Sequence, residues 1–286
     1  MSRVAYVNGR YVPHRDARVH IEDRGYQFAD GVYEVCEIWN GFVVDETRHL
    51  DRLERSLREL AIRMPMSRPA LQVLIREIVR RNRVRDGLVY IQVTRGVAPR
   101  DHVFPTKPTP PALVLTAKPV SRAAGERLAA EGVAVIALPD NRWERVDIKS
   151  VGLLPNAIAR QKAKEAGARE AWFVDRDGYV TEGAATTAWI VTGEGTLVTR
   201  PNGTDILPGI TRITASEVAR RAGLRIEERK FTVAEAKAAR EAFITAASTI
   251  VMPVVRIDGE AVADGKPGPV AAGLRAAFHA VAEKAG

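Results

Sequence analysis

Two dipeptides, Asn8-Gly9 and Asp177-Gly178, constrain the fold of this chain more than any other feature. Each stands between runs of strand-forming residues: VAYV and RYV around the first, AWFV and YVTEG around the second. A type I′ turn needs positive φ at both central positions, which Asn-Gly accepts at little cost, so the first pair marks a tight antiparallel hairpin. Asp-Gly is a turn dipeptide of the same kind, here inside DRDG. Hairpins in both halves of the chain argue against a doubly wound sheet built from parallel crossovers alone.

Helical periodicity fills the space between the strands. Leu50, Leu53, Leu57 and Leu60 recur at helical spacing, with Arg and Glu on the other face. Ser67 opens a second helix whose stripe is Leu71, Leu74, Ile75 and Ile78. Strands are predicted at GVYEVCEIW, from about Gly31, and at LVYIQVTRG. The prolines of VAPRDHVFPTKPTPP rule out regular structure in the segment that follows. Beyond ALVLTAKPV a helix begins at Arg122, followed by strand VAVIALPD and a helix over PNAIARQKAKEAGA. Further on, ILPGITR opens the helix ITASEVARRAG, and Thr232 with Glu235 forms a capping box. The expectation is an α+β or mixed α/β chain of two domains, 1–120 and 121–286, the second carrying Lys149.

The chain carries 43 Lys+Arg against 35 Asp+Glu, a net charge of +8. Basic residues alternate with acidic ones, as in HLDRLERSLREL, and no Lys/Arg block interleaved with aromatics occurs, so no nucleic-acid partner is expected. Cys36 is the single cysteine and lies in an apolar run, which leaves no intrachain disulfide and no metal-ligand spacing. No apolar stretch approaches spanning length and the start lacks a signal-peptide core. A cytoplasmic protein with no membrane partner and no metal is expected.

Three features bear on chemistry. Of nine lysines, those in polar helical, turn or tail settings read as surface, whereas Lys149 ends the strand-like stretch RVDIK and runs into apolar residues. Partial desolvation there would make its amine nucleophilic; the competing reading is a strand lysine that only snorkels. Gly209, Ile210 and Thr211 start a helix, where backbone N–H groups suit a phosphate; the alternative is a plain turn with Thr211 as cap. Glu182 precedes Gly183, Ala184 and Ala185, small residues that leave room for a flat ligand, or it is a surface Glu before a turn. An amine, an anion site and a carboxylate are the set that pyridoxal 5′-phosphate (PLP) needs for its aldehyde, phosphate and pyridine nitrogen.

The blocks IEDRGYQFADGVYEV, HLDRL, VTRGVAPRDHVFP, DIKSVGLLPNAIARQKA, VTEG and ILPGITR resemble the class IV (fold-type IV) aminotransferases, most of all the D-amino acid branch. The similarity runs over nearly the whole chain. It implies that Lys149 is the Schiff-base lysine and proton carrier, and that Glu182 pairs with the pyridine nitrogen. It further implies that Arg52, Gly209, Ile210 and Thr211 hold the phosphate and that Leu207 packs near the ring. Tyr33, Arg100 and His102 resemble the trap for the substrate α-carboxylate, the last two reaching in from the partner of a homodimer with shared sites. The implied reaction is ping-pong transfer of an amino group from a D-amino acid (D-Ala, D-Glu type) to a 2-oxo acid such as 2-oxoglutarate or pyruvate. Branched-chain aminotransferase, (R)-amine transaminase and 4-amino-4-deoxychorismate lyase are the alternatives of the same fold. The chain departs from the family pattern at Ala29, at the run Ala184, Ala185, Thr186 and Thr187, and at Ala246 and Ala247, where relatives carry hydroxyl residues.

Overall fold

Residues 3–286 are described by the structure, a computed structural model. The chain divides into two compact units. One holds the residues through Ser121 together with Ile148–Gly152 and Glu283–Gly286; the other holds Arg122–Asp147 and Leu153–Ala282.

The first unit contains β1 (Val4–Val7), β2 (Arg10–Pro13), α1 (Arg24–Phe28), β3 (Gly31–Trp39), β4 (Phe42–Val44), α2 (Glu46–Glu59), α3 (Arg68–Arg81), β5 (Gly87–Thr94) and β6 (Ala112–Pro119). Its sheet runs Lys284–Ala285, β4, β3, β5, β6, β1, β2, antiparallel throughout. The first hairpin turns at Asn8 (φ 46°) and Gly9 (φ 91°), the positive-φ pair that Asn-Gly favours. Leu50, Leu53 and Leu57 of α2 and Leu71, Ile75 and Ile78 of α3 pack in one apolar cluster with Cys36, Val89, Ile91 and Leu115. Each such side chain, fully buried, stabilises the unit by about 1.5–3 kcal/mol relative to exposure.

The expected domains, 1–120 and 121–286, put Lys149 in the second. The fold has the switch at Ser121/Arg122, but Ile148–Gly152 returns to the first unit. Backbone pairing is the reason. Of β3, only Ile38 and Trp39 pair with β4, so the start of β3 has an open edge. There Tyr33 donates its N–H to the Lys149 carbonyl (3.0 Å), Val151 donates to Gly31 (3.0 Å), and Val32 bridges Ser150.

The second unit contains α4 (Arg122–Glu131), β7 (Val133–Pro139), α5 (Leu154–Glu165), β8 (Glu170–Val174), β9 (Val180–Gly183), β10 (Thr187–Val191), β11 (Leu197–Thr199), α6 (Ile210–Arg221), β12 (Ile226–Glu228), α7 (Val233–Lys237), β13 (Glu241–Ala246), β14 (Ile250–Ile257), β15 (Glu260–Ala261) and α8 (Pro269–Val281). Its sheet runs β12, β11, β10, β13, β14, β7, β8, β9, with β15 beside β14. The β11–β12, β14–β7 and β7–β8 pairs are parallel and the rest antiparallel, giving the mixed α/β architecture expected. No helix among the described residues is long and apolar enough to cross a membrane, and no group of three metal-ligating side chains occurs there.

Candidate active site

In the first unit, Tyr33, Arg52 and Lys149, three of the candidate residues, lie on or beside β3 and α2. Alternate residues of β3 face the core: Val32, Glu34, Cys36 and Ile38 are buried, while Tyr33 on the opposite face is half-buried. Lys149 Nζ lies 4.2 Å from the centroid of the Tyr33 ring, so the ring faces the amine. Tyr33 stacks on Tyr90 (centroids 5.6 Å), whose hydroxyl is pushed up to about 12 by burial and by the neighbouring Tyr33. The Lys149 backbone N–H also donates to Ser56 Oγ of α2 (3.4 Å). One segment is therefore held on both sides.

Arg52 of α2 is buried, and its guanidinium grips Glu34 in a two-pronged pair: Nε to Oε1 at 2.7 Å, Nη2 to Oε2 at 2.8 Å. His49 Nδ1 lies 2.7 Å from the same carboxylate. Burial alone would raise the Glu34 pKa. The Arg52 charge and hydrogen bonds from Arg52 and His49 outweigh it and hold that carboxyl at about 2. This planar fork fixes the guanidinium's orientation. Sequence reasoning missed Glu34 and His49. A signal was available, because a carboxylate on the core-facing parity of β3 requires a buried cation.

Arg100 and His102 lie in the irregular segment after β5 and are exposed. Both approach Phe28: the Arg100 guanidinium is 5.2 Å from the ring centroid and the His102 ring 5.4 Å. Two side chains able to carry positive charge thus share one location.

In the second unit Glu182 sits on β9, buried at 6% exposure. It forms an ion pair with Arg142, and both its oxygens accept from the Leu207 N–H at 3.2 Å. Arg142 also binds Asp140 through Nε (3.0 Å) and Nη2 (2.7 Å), while Thr181 Oγ1 donates to Asp140 (2.8 Å). Burial would raise the Asp140 pKa, but Arg142 and Thr181 lower it on balance. Arg142 thus bridges the carboxylates of Glu182 and Asp140. Arg142 was not foreseen, since one arginine in DNRWER carries no distinguishing pattern.

Gly209 is the N-cap of α6 and has no side-chain cap, so the first N–H groups of a 12-residue helix lack an internal acceptor. A Cβ on Gly209 would come within 2.6 Å of Thr187 Oγ1, so the close approach requires glycine. Thr211, read as a possible cap, is the second helical residue and is buried. Leu207 is half-buried.

In the first unit an amine against an aromatic face suits the aldehyde of PLP; in the second a buried carboxylate suits a pyridine nitrogen, and a helix N-terminus without a side-chain cap suits a phosphate. The family profile described as amino-transferase class IV matches residues 31–257. The chain is 41% identical over 272 residues to a D-alanine aminotransferase of Bacillus licheniformis, covering 95% of this chain and 94% of that one. It is 38% identical over 274 residues to a D-alanine aminotransferase of Staphylococcus epidermidis, covering 96% of each. The fold matches that of the Escherichia coli branched-chain amino acid aminotransferase with a TM-score of 0.90 at 23% identity, over 98% of this chain and 95% of that one. This chain belongs to the class IV aminotransferase family, whose members are PLP-dependent enzymes.

Proposed function

We propose that this chain transfers the amino group of a D-amino acid, of D-alanine or D-glutamate type, to a 2-oxo acid on PLP carried by Lys149. When bound, the cofactor supplies an aldehyde for the amino group and a ring that accepts electrons from the substrate Cα. Lys149 Nζ removes the Cα proton and returns it. Glu182, paired with Arg142, would hold the ring nitrogen protonated. Arg52, aimed by Glu34, and the N–H groups of Gly209, Ile210 and Thr211 bind the phosphate, while Leu207 packs against the ring. Tyr33, Arg100 and His102 bind the substrate carboxylate, and its anchoring relative to Lys149 sets which hand of amino acid is accepted.

The observation that carries the D-specific reading is the approach of Arg100 and His102 to Phe28 in the segment VTRGVAPRDH. Both belong to a second protomer's site in this reading, and the enzyme is a cytoplasmic homodimer. Exposed Ile21, Tyr26, Val97 and Val103 support a partner surface at that end of the unit. The test mixes holoenzyme with D-alanine, D-glutamate, L-leucine, (R)-1-phenylethylamine and 4-amino-4-deoxychorismate, one at a time, and follows the visible band. D-Alanine or D-glutamate gives the fastest change; a preference for L-leucine overturns the reading.

A further inference from the structure

The segment carrying Arg100 and His102 has no helix or strand to hold it, yet a substrate trap needs fixed side chains. Its anchor lies in α1. Arg24 is 2% exposed and pairs with Asp30 through Nε at 2.8 Å. The rest of its fork points at the backbone of the segment: Nη1 donates to the Asp101 carbonyl at 2.6 Å and to Val103 at 3.4 Å, and Nη2 to His102 at 3.4 Å. Asp30 in turn binds Arg95 twice (2.7 and 2.9 Å), and Arg95 Nη2 donates to the Leu60 carbonyl at 2.7 Å. Phe104 lies over the Arg95 guanidinium at 3.7 Å. α1 itself has no slack, since a Cβ on Gly25 would meet Thr94 Cγ2 at 2.2 Å.

We infer that Arg24 is a positioning residue for substrate-carboxylate recognition, clamping the backbone on both sides of His102, next to Arg100, through one buried guanidinium. This deepens the proposed function and rests on its assignment of Arg100 and His102 as the trap. The residue acts through the segment and touches neither substrate nor cofactor. Lysine at position 24 can keep the pair with Asp30 but lacks the fork that reaches three carbonyls.

The experiment measures steady-state KM and kcat for D-alanine on holoenzyme, with PLP content and thermal unfolding, in wild type, Arg24→Lys, Phe104→Ala and Arg100→Ala. Arg24→Lys raises KM about tenfold or more, the scale of one charge-assisted hydrogen bond, while kcat stays within about twofold and PLP content is unchanged. Phe104 is 53% exposed, so its truncation spares the fold and yields a smaller rise of the same kind. That variant decides the matter if Arg24→Lys does not fold. A parallel fall in kcat and PLP content, or an unchanged KM, in the folded variants overturns the inference. If Arg100→Ala shows the KM rise and Arg24→Lys and Phe104→Ala do not, the clamp alone is refuted. If Arg100→Ala also leaves KM unchanged, the trap assignment falls and the clamp with it.

Discussion

Replacing Glu34 with Gln removes a carboxylate that is fully buried and held by two bonds from Arg52 and one contact from His49. Its carboxyl is lowered from the usual 4.5 to about 2, a shift worth about 3 kcal/mol of folding stability at neutral pH. A second route gives a similar size. Breaking a buried pair and leaving the guanidinium uncompensated costs roughly 3–5 kcal/mol. The folded-state value lies below the unfolded one, so this contribution is fully present above about pH 4.5 and is lost as the pH falls towards 2. Urea denaturation of PLP-saturated wild type and Glu34→Gln, at intervals from pH 7 to pH 3, measures both effects. The expected result is a difference of about 3 kcal/mol or more at pH 7 that narrows on acidification. Weaker PLP affinity accompanies it, because Arg52 loses the partner that orients it. A loss below about 1 kcal/mol at pH 7, the size of an ordinary exposed pair, or a difference independent of pH, refutes the reasoning.

Glu182→Gln lowers kcat strongly while KM for D-alanine changes little if, as proposed, the residue tunes the cofactor ring and not substrate binding; intact turnover in stopped assays contradicts that role. Arg142→Met moves kcat in the same direction by removing the cation paired with Glu182, and steady-state turnover of D-alanine detects the change. Gly209→Ala puts a methyl group into the space at Thr187 Oγ1, an overpacking cost of about 1–3 kcal/mol, and weakens PLP binding to apoenzyme. Adding Thr187→Ala restores part of that affinity. Ala247→Thr supplies a hydroxyl that relatives carry, and apoenzyme titration with PLP shows tighter binding if it reaches the phosphate.

What the sequence displayed was local. Asn8-Gly9 specified its own turn, the leucine stripe of α2 specified its buried face, and strand alternation located β3 and β5. The parallel β7–β8 and β14–β7 pairings were hidden because they depend on crossovers that no local pattern encodes. α1 was missed for a related reason. It has five residues, one a glycine, and is held by Asp23, whose side chain accepts from Gly25, and by the tertiary bonds of Arg24. α2 is buried over a wider arc than its leucines mark, since Glu46, His49, Arg52 and Ser56 are also enclosed. Polar residues on that arc look like solvent-facing ones until their partners are known. Lys149 stood out by its apolar setting, but its return to the first unit follows from an open strand edge that only the sheet order reveals.

The most direct test of the account is to reduce holoenzyme with borohydride, digest it and locate the modified peptide by mass spectrometry. The expected product carries a pyridoxyl group on Lys149, within the segment Ile148–Gly152. Modification of Lys162 or Lys164 on α5 instead, with Lys149 unmodified, would contradict it.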